Sequence, residues 1–271
     1  LKVMFKEDFV EFFRLLIKSY GGEIDLGQIK NELIPDYVEE KNWAKWWTKA
    51  RTQIKKEPLF GVSDKKKNLV FMRDKPVTFA EELLEKFTST ESFSSKLDIA
   101  IEFINNIDVK EGENIPAYFI DYFSDQMKGD SNTRQILSYF ILTDLSKYSE
   151  SSKLKVDQYK DKIAGFIKHS DELPILSMKI GSYDYKKNLV NLIVELRDDW
   201  ASVLFELLFE TPVRIHKYIV NILLRAHEYK TINQFIDRVV PGAKQHPEIF
   251  IWASKNVFTG AWRHDWLDYP E

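Results

Sequence analysis

The second half of the sequence is a long succession of amphipathic segments, and this pattern constrains the fold more than any other feature. Apolar residues recur at helical spacing within each segment, and short stretches such as EGENIP, SDELP and VVPGA separate one segment from the next. Because one pair of helices cannot bury its apolar face alone, the pattern predicts a HEAT- or armadillo-like helical repeat over residues 77–271. An irregular helical bundle is the alternative. The segments lie near residues 95–107, 113–128, 131–149, 152–169, 173–181, 184–197, 199–209, 212–227, 229–239 and 243–257.

The first part of the chain has a different order of elements. A first helix is predicted over residues 6–20, where the pair Gly21 and Gly22 ends it, and a second over 25–34, with Asp25 as its cap and Pro35 after its end. A third helix over 41–57 ends before Pro58, and two short strands follow near 59–62 and 68–73. Three helices and a hairpin predict a winged helix-turn-helix over residues 1–76. The predicted fold class is therefore mainly all-α, with a small β-hairpin wing.

The third predicted helix carries three tryptophans, and its periodicity divides them. At about 100° per residue, Trp43 and Trp47 lie on the same side as Ala50 and Ile54, while Trp46 lies at the edge of that side. We therefore expect Trp43 and Trp47 to face the core, and Trp46, at the boundary, to be the tryptophan most open to solvent.

The opposite side of this helix is basic. Residues 41–75 contain eleven bases against three acids, whereas the rest of the chain sums to a net charge of −11, so that the whole chain has −3. A basic island in an acidic chain is a candidate phosphate-binding surface. The predicted nucleic-acid-binding residues are Lys45, Lys49, Arg51, Thr52, Lys55, Lys56, Lys65, Lys66, Lys67 and Arg73.

Lysine dominates this set, and lysine does not read bases in the bidentate manner of arginine, asparagine or glutamine. We therefore expect electrostatic binding to DNA or RNA backbone, with little sequence specificity. A protein-docking surface is the alternative, because many winged helices bind proteins. The remaining charge is negative, which favours protein partners for the helical repeat.

No pattern in the sequence predicts catalysis or a cofactor. The chain has no cysteine, and the five histidines are scattered without the spacing of metal ligands. His264, between two tryptophans and beside Asp265, is interpreted as a packed side chain. The sequence predicts no enzyme activity, no metal site and no small-molecule substrate.

The chain also lacks the features of a membrane or secreted protein. The apolar runs are interrupted well before the roughly 20 residues that span a bilayer, and the N-terminus has no signal-peptide pattern. We therefore expect a cytoplasmic protein without a membrane partner. The first residue, Leu1, and the final WRHDWLDYPE suggest a fragment of a longer protein.

The segment NWAKWWTKARTQIKKEPLFGVSDKKKNLVFMRDKP resembles the N-terminal extension of unusually long GreA-like bacterial transcription elongation factors. The resemblance implies transcription as the setting, with RNA polymerase or its nucleic acid as partner. Gre factors carry catalytic acidic residues at the tip of a coiled coil, and this chain has no such hairpin, so none of those residues is carried over. The predicted function is a noncatalytic binding region of such a factor, with a protein interaction scaffold as the alternative.

Overall fold

The computed structural model describes residues 2–63, 69–106 and 117–258. The chain forms two compact units, Leu1–Phe103 and Ile104–Glu271, which we call the N-terminal and C-terminal units. The predicted domain boundary at residue 76 stays a prediction. Within the described residues, no helix is both long enough and apolar enough to cross a bilayer.

In the N-terminal unit, two helices and a short strand come first. Two more helices and a β-hairpin follow, and then two further helices. Its elements are α1 (Lys2–Glu7), α2 (Phe9–Ser19), β1 (Glu23–Ile24), α3 (Leu26–Leu33), a 3-10 turn (Glu40–Asn42), α4 (Trp43–Lys56), β2 (Phe60–Ser63), β3 (Leu69–Met72), α5 (Phe79–Ser89) and α6 (Phe93–Asn106).

Side-chain caps and glycines set the ends of the first helices. The Asp8 side chain accepts a hydrogen bond from the Glu11 amide at 3.0 Å, so α2 begins at Phe9 and the predicted first helix is in fact two helices. Gly21 and Gly22 follow α2 with φ of 80° and 100°, a conformation that favours glycine. Asp25 and Gln28 form a capping box at the start of α3.

The strands of the N-terminal unit form a three-stranded antiparallel sheet in the order β1-β3-β2. The β2–β3 hairpin was predicted, whereas β1 was not, because two residues are too few to show alternation. Phe71 on β3 lies directly over Gly61 of β2, where a side chain would collide with the ring. The order of α2, β1, α3, α4, β2 and β3 confirms the predicted N-terminal helix-turn-helix with its hairpin.

The core of this unit joins helices to the sheet. Phe13 and Ile17 from α2, Ile54 from α4 and Val70 from β3 are completely inaccessible to solvent and belong to one apolar cluster. Burial on this scale is the main favourable contribution to folding, at about 25 cal/mol per Å² of apolar surface. Burial of Ile54 in this cluster fixes which side of α4 faces inward.

The described residues of the C-terminal unit are helices and connecting turns, which confirms the predicted helical class of this region. Helices contact mainly neighbours one to three positions along the chain, for example α8 with α9 and α11, and α12 with α10, α13 and α14. The helices are α7 (Ala117–Gln126), α8 (Asn132–Leu145), α9 (Glu150–His169), α10 (Leu173–Lys179), α11 (Tyr183–Leu196), α12 (Trp200–Glu210), α13 (His216–Arg225), α14 (Tyr229–Val239) and α15 (Pro247–Ala253), followed by a π-helical turn (Ser254–Phe258).

Candidate nucleic-acid interface

The inward side of α4 packs on the first two helices. Ala50 and Ile54 are buried, and the Trp46 ring stacks on Phe5 at 5.6 Å and on Phe13 at 6.4 Å between ring centroids. Trp46 is therefore anchored to the aromatic core, and it is partly buried, as Trp43 and Trp47 are. Rotation angles along α4 place it at the edge of the apolar side, and the rings of α1 and α2 extend over that edge.

Trp43 and Trp47 stack on each other one helical turn apart, with centroids 5.9 Å apart and ring planes only 9° from parallel. Both rings are partly buried and pack against the same apolar cluster, as predicted. The pair therefore lies at the border between the core and the solvent-exposed side of α4.

Three lysines on the outward side of α4 are open to solvent. Lys45, Lys49 and Lys56 are exposed, and their side chains make no hydrogen bond or ion pair with any residue that the structure describes. We call these three residues the open lysines. Thr52 is also exposed, but its hydroxyl donates to the Thr48 carbonyl at 3.0 Å. The structure thus brings the open lysines together on one helix face.

Two other predicted residues are engaged inside the N-terminal unit. The Lys55 ammonium lies 2.6 Å from a carboxylate oxygen of Glu102 on α6, and both side chains are partly buried. Arg73 forms an ion pair with Glu82 on α5, and its guanidinium also donates to the Val77 carbonyl at 2.7 Å. Lys55 and Arg73 therefore connect α4 and the hairpin to the helices that follow them.

Burial and the neighbouring cations shift the pKa of the Glu82 carboxyl group. Burial raises its pKa, but the Lys86 ammonium and the Arg73 guanidinium favour the charged form and hold the pKa of Glu82 below its usual value. Glu82 is therefore an ionised partner of Arg73 at neutral pH. Arg51, a further predicted contact, is partly buried on α4.

The lysine-rich turn of the hairpin, with Lys65, Lys66 and Lys67, lies outside the described residues. β2 is described to Ser63, and β3 begins at Leu69.

The acids of the chain are not concentrated in the C-terminal unit. Residues 76–103, which belong to the N-terminal unit, contain six acids and two bases, whereas residues 104–271 contain twenty-four acids and twenty-one bases. The predicted helical repeat, residues 77–271, does have a net charge of −7, but −4 of it lies in residues 77–103. Much of the excess lies directly after the basic segment, which is why Lys55 and Arg73 find carboxylate partners there.

Buried polar groups of the C-terminal unit join helices to one another. The Tyr185 hydroxyl on α11 lies 3.1 Å from an Asp144 carboxylate oxygen on α8, and burial together with this carboxylate raises the pKa of Tyr185. The buried Lys186 ammonium donates to the Ser177 carbonyl on α10, and burial lowers the pKa of Lys186. Within the described residues, no group of three His, Asp or Glu side chains converges as metal ligands would, and His264 lies outside them.

Comparison with known families gives the context of this surface. Residues 1–77 match the GRAD helix-turn-helix domain, and residues 79–270 match the GreA-associated C-terminal domain. The chain belongs to the GreA-associated (GRAD) domain family. This confirms the resemblance that the tryptophan- and lysine-rich segment indicated.

Curated relatives of this GRAD chain include transcription factors. It is 27% identical to the transcription elongation factor GreA of Borreliella burgdorferi, over 93% of this chain and 28% of that protein. It is 26% identical to a putative GreA-associated domains protein of Treponema pallidum, over 49% of this chain and 20% of that protein. It is 23% identical to the transcription elongation factor GreA of Chlamydia pneumoniae, over 91% of this chain and 34% of that protein.

The GRAD chain thus spans about a third or less of these relatives. No solved structure matches it. It is a GreA-associated region of the kind found in proteins related to transcription.

Proposed function

We propose that this GRAD chain is a noncatalytic binding region of a bacterial, cytoplasmic GreA-like transcription elongation factor, and that it holds nucleic-acid backbone on α4. The observation that carries the proposal is the set of open lysines on α4, the helix that precedes the hairpin of the helix-turn-helix domain. Lysines without intramolecular partners lose no ion pair when they approach a phosphate, so their whole charge is available for binding.

The spacing of the open lysines suits a phosphate backbone. At about 1.5 Å of rise per residue, Lys45 and Lys49 are about 6 Å apart along the helix axis and Lys45 and Lys56 about 16 Å apart. Lysine contacts phosphates as a point charge, so this surface would tolerate many sequences. On sequence grounds, Lys65, Lys66 and Lys67 extend the same surface.

Lys55 and Arg73, which already form ion pairs, are weaker candidates for phosphate contacts. Lys55 and Arg73 would have to leave Glu102 and Glu82 before they could bind a phosphate. The Thr52 hydroxyl still has its acceptor lone pairs, but phosphate requires a donor. We therefore assign the first contacts to the open lysines. Arg51 is partly buried and lies about 120° or more around α4 from them.

A second candidate function is docking to RNA polymerase or another protein of the transcription complex. It is supported by the stacked pair Trp43 and Trp47, which is only partly buried and lies on the side of α4 away from the open lysines. Partly exposed aromatic rings are typical of protein interfaces.

Fluorescence anisotropy with labelled duplex and single-stranded DNA and RNA would separate these functions. The whole chain would be titrated across a salt series, beside a variant with Lys45, Lys49 and Lys56 replaced by Glu. The control would carry the same charge change on three exposed lysines of the C-terminal unit, Lys160, Lys217 and Lys230.

If the open lysines hold phosphates, the slope of log affinity against log salt should fall by about three for duplex in the first variant, since each phosphate contact contributes about 0.9. The control should keep its slope. Absence of binding at low salt, or equal losses in the two variants, would refute nucleic-acid binding by α4 and favour RNA polymerase as the next partner to titrate.

A further inference from the structure

The C-terminal unit contains an open cavity that the proposed function does not use. It has a volume of about 420 Å³ and lies between Phe209 at the end of α12, Arg238 and Val239 on α14, and the turn of residues 241–246. This is the lower part of the size range of ligand pockets, and it is large enough for one bulky side chain with its flanking backbone.

The cation at this cavity lies near two aromatic rings. The Arg238 guanidinium carbon lies 4.2 Å from the Phe209 ring centroid and 5.5 Å from that of Phe205. A cation–π contact of this kind positions a guanidinium without using its N–H donors in hydrogen bonds.

The neighbouring Glu206 carboxylate leaves most N–H donors of the Arg238 guanidinium available. Both Glu206 oxygens are 3.5 Å from Nη1 of Arg238, at the outer limit of a hydrogen bond, and each side chain is about half exposed, at 51% and 52%. In the described residues, the other two guanidinium nitrogens make no hydrogen bond. A planar guanidinium has five donors, and it binds a carboxylate best in a bidentate arrangement.

The remaining lining is apolar with polar groups at the rim. Phe209, Val239 and Pro241 form an apolar surface, while Gln245 and His246 add an amide and an imidazole whose ring centroid lies 6.0 Å from that of Phe209. Val240, next to this lining, is 38% exposed. An arginine beside exposed aromatic and aliphatic groups is the composition of an interface hot spot.

We propose that this cavity binds a peptide segment of a partner protein, in which an apolar anchor side chain enters beside Phe209 and a flanking carboxylate pairs with Arg238. One carboxylate of the peptide is enough to pair with the N–H groups at the edge of the Arg238 guanidinium. A nucleic-acid backbone is disfavoured because the exposed acids Glu206, Glu210 and Asp237 adjoin the lining residues in sequence and would repel successive phosphates. This site is independent of α4.

The test uses the whole chain and three capped peptides observed by the amide NMR resonances of Gly242, Gln245 and His246. Acetyl-Phe-Glu-amide contains both features with a single carboxylate, acetyl-Ala-Glu-amide lacks the anchor, and acetyl-Phe-Lys-amide reverses the charge. We expect the first to bind at about millimolar affinity and each of the others to bind at least about fivefold more weakly.

Arg238→Gln should weaken binding of the first peptide by about five- to tenfold, because it removes the charge-assisted pair and keeps a polar side chain. The control Arg225→Gln removes an exposed arginine of α13 that does not line the cavity, and it should leave the affinity unchanged. The proposal is overturned if no resonance shifts at about 10 mM peptide, if the lysine peptide binds as well, or if Arg238→Gln has no effect.

Discussion

The buried His216 makes the stability of the C-terminal unit depend on pH. It begins α13 with no accessible surface, its Nε2 lies 3.0 Å from the Thr211 carbonyl oxygen, and its ring meets Trp252 edge-on at 5.0 Å. Its Nδ1 has no hydrogen-bond partner among the described residues. The neutral tautomer with the proton on Nε2 satisfies this geometry, because a proton on Nδ1 would have no acceptor.

Burial lowers the pKa of His216 to about 4, although the hydrogen bond to Thr211 and the charge of Glu248 act in the opposite direction. In the unfolded chain the pKa is about 6.5, so between these two values the unfolded state binds the proton and the folded state does not. Stability is therefore complete above about pH 6.5 and decreases as the pH falls toward 4. The linkage relation predicts a loss of about 2 kcal/mol between pH 7 and pH 5.

Urea unfolding followed by far-ultraviolet circular dichroism at pH 7 and pH 5 measures this loss in the wild-type chain and in His216→Gln. The glutamine amide can donate to Thr211 but does not titrate. Carboxylates and the other histidines contribute equally to both proteins, so the wild type should lose about 2 kcal/mol more than the variant in the transition that the substitution shifts. Equal losses in the two proteins would show that His216 does not remain neutral through burial.

Two further predictions concern the N-terminal unit. Arg73→Gln should lower its free energy of unfolding in urea by about 1.5 to 3 kcal/mol, because Glu82 loses its buried partner, and the salt slope for nucleic-acid binding should stay that of the wild type. A reduced slope with unchanged stability would assign Arg73 to the phosphate-binding surface instead. Trp46→Ala should lower the free energy of unfolding by about 2 to 4 kcal/mol, and by more than Trp47→Ala, because Trp46 stacks on Phe5 and Phe13 while Trp47 stacks on Trp43 at the border of the core. The reverse order would show that Trp47 is the main anchor of α4.

Local signals in the sequence were sufficient for most elements of the fold. Gly21, Gly22, the capping Asp25 and Pro58 each act through their own backbone or the next turn, so the ends of α2 and α4 and the start of α3 were predictable from a few neighbouring residues. β1 was missed because its two residues become a strand only through pairing with Val70 and Phe71, nearly fifty residues away.

In the candidate site too, local signals predicted some features, whereas contacts made by tertiary packing were missed. The outward direction of Lys45, Lys49 and Lys56 follows from helical period alone, and the structure agrees with it. The engagement of Lys55 does not follow, because Glu102 is 47 residues further along the chain and meets it only through tertiary packing. The stacking of Trp46 on Phe5 does not follow either, since an angle around α4 contains no information on how far the rings of α1 extend.

The division of the bases has a consequence for how α4 can bind. Glu82 and Glu102 engage Arg73 and Lys55, so the acids of α5 and α6 both stabilise the N-terminal unit and remove charge from its basic surface. If α4 binds nucleic acid as proposed, its three open lysines give an electrostatic attraction that salt screens strongly. The proposed contact is then weak by itself. It suits a larger assembly, in which a second site on the same protein raises the effective concentration and a weak, sequence-tolerant contact is sufficient.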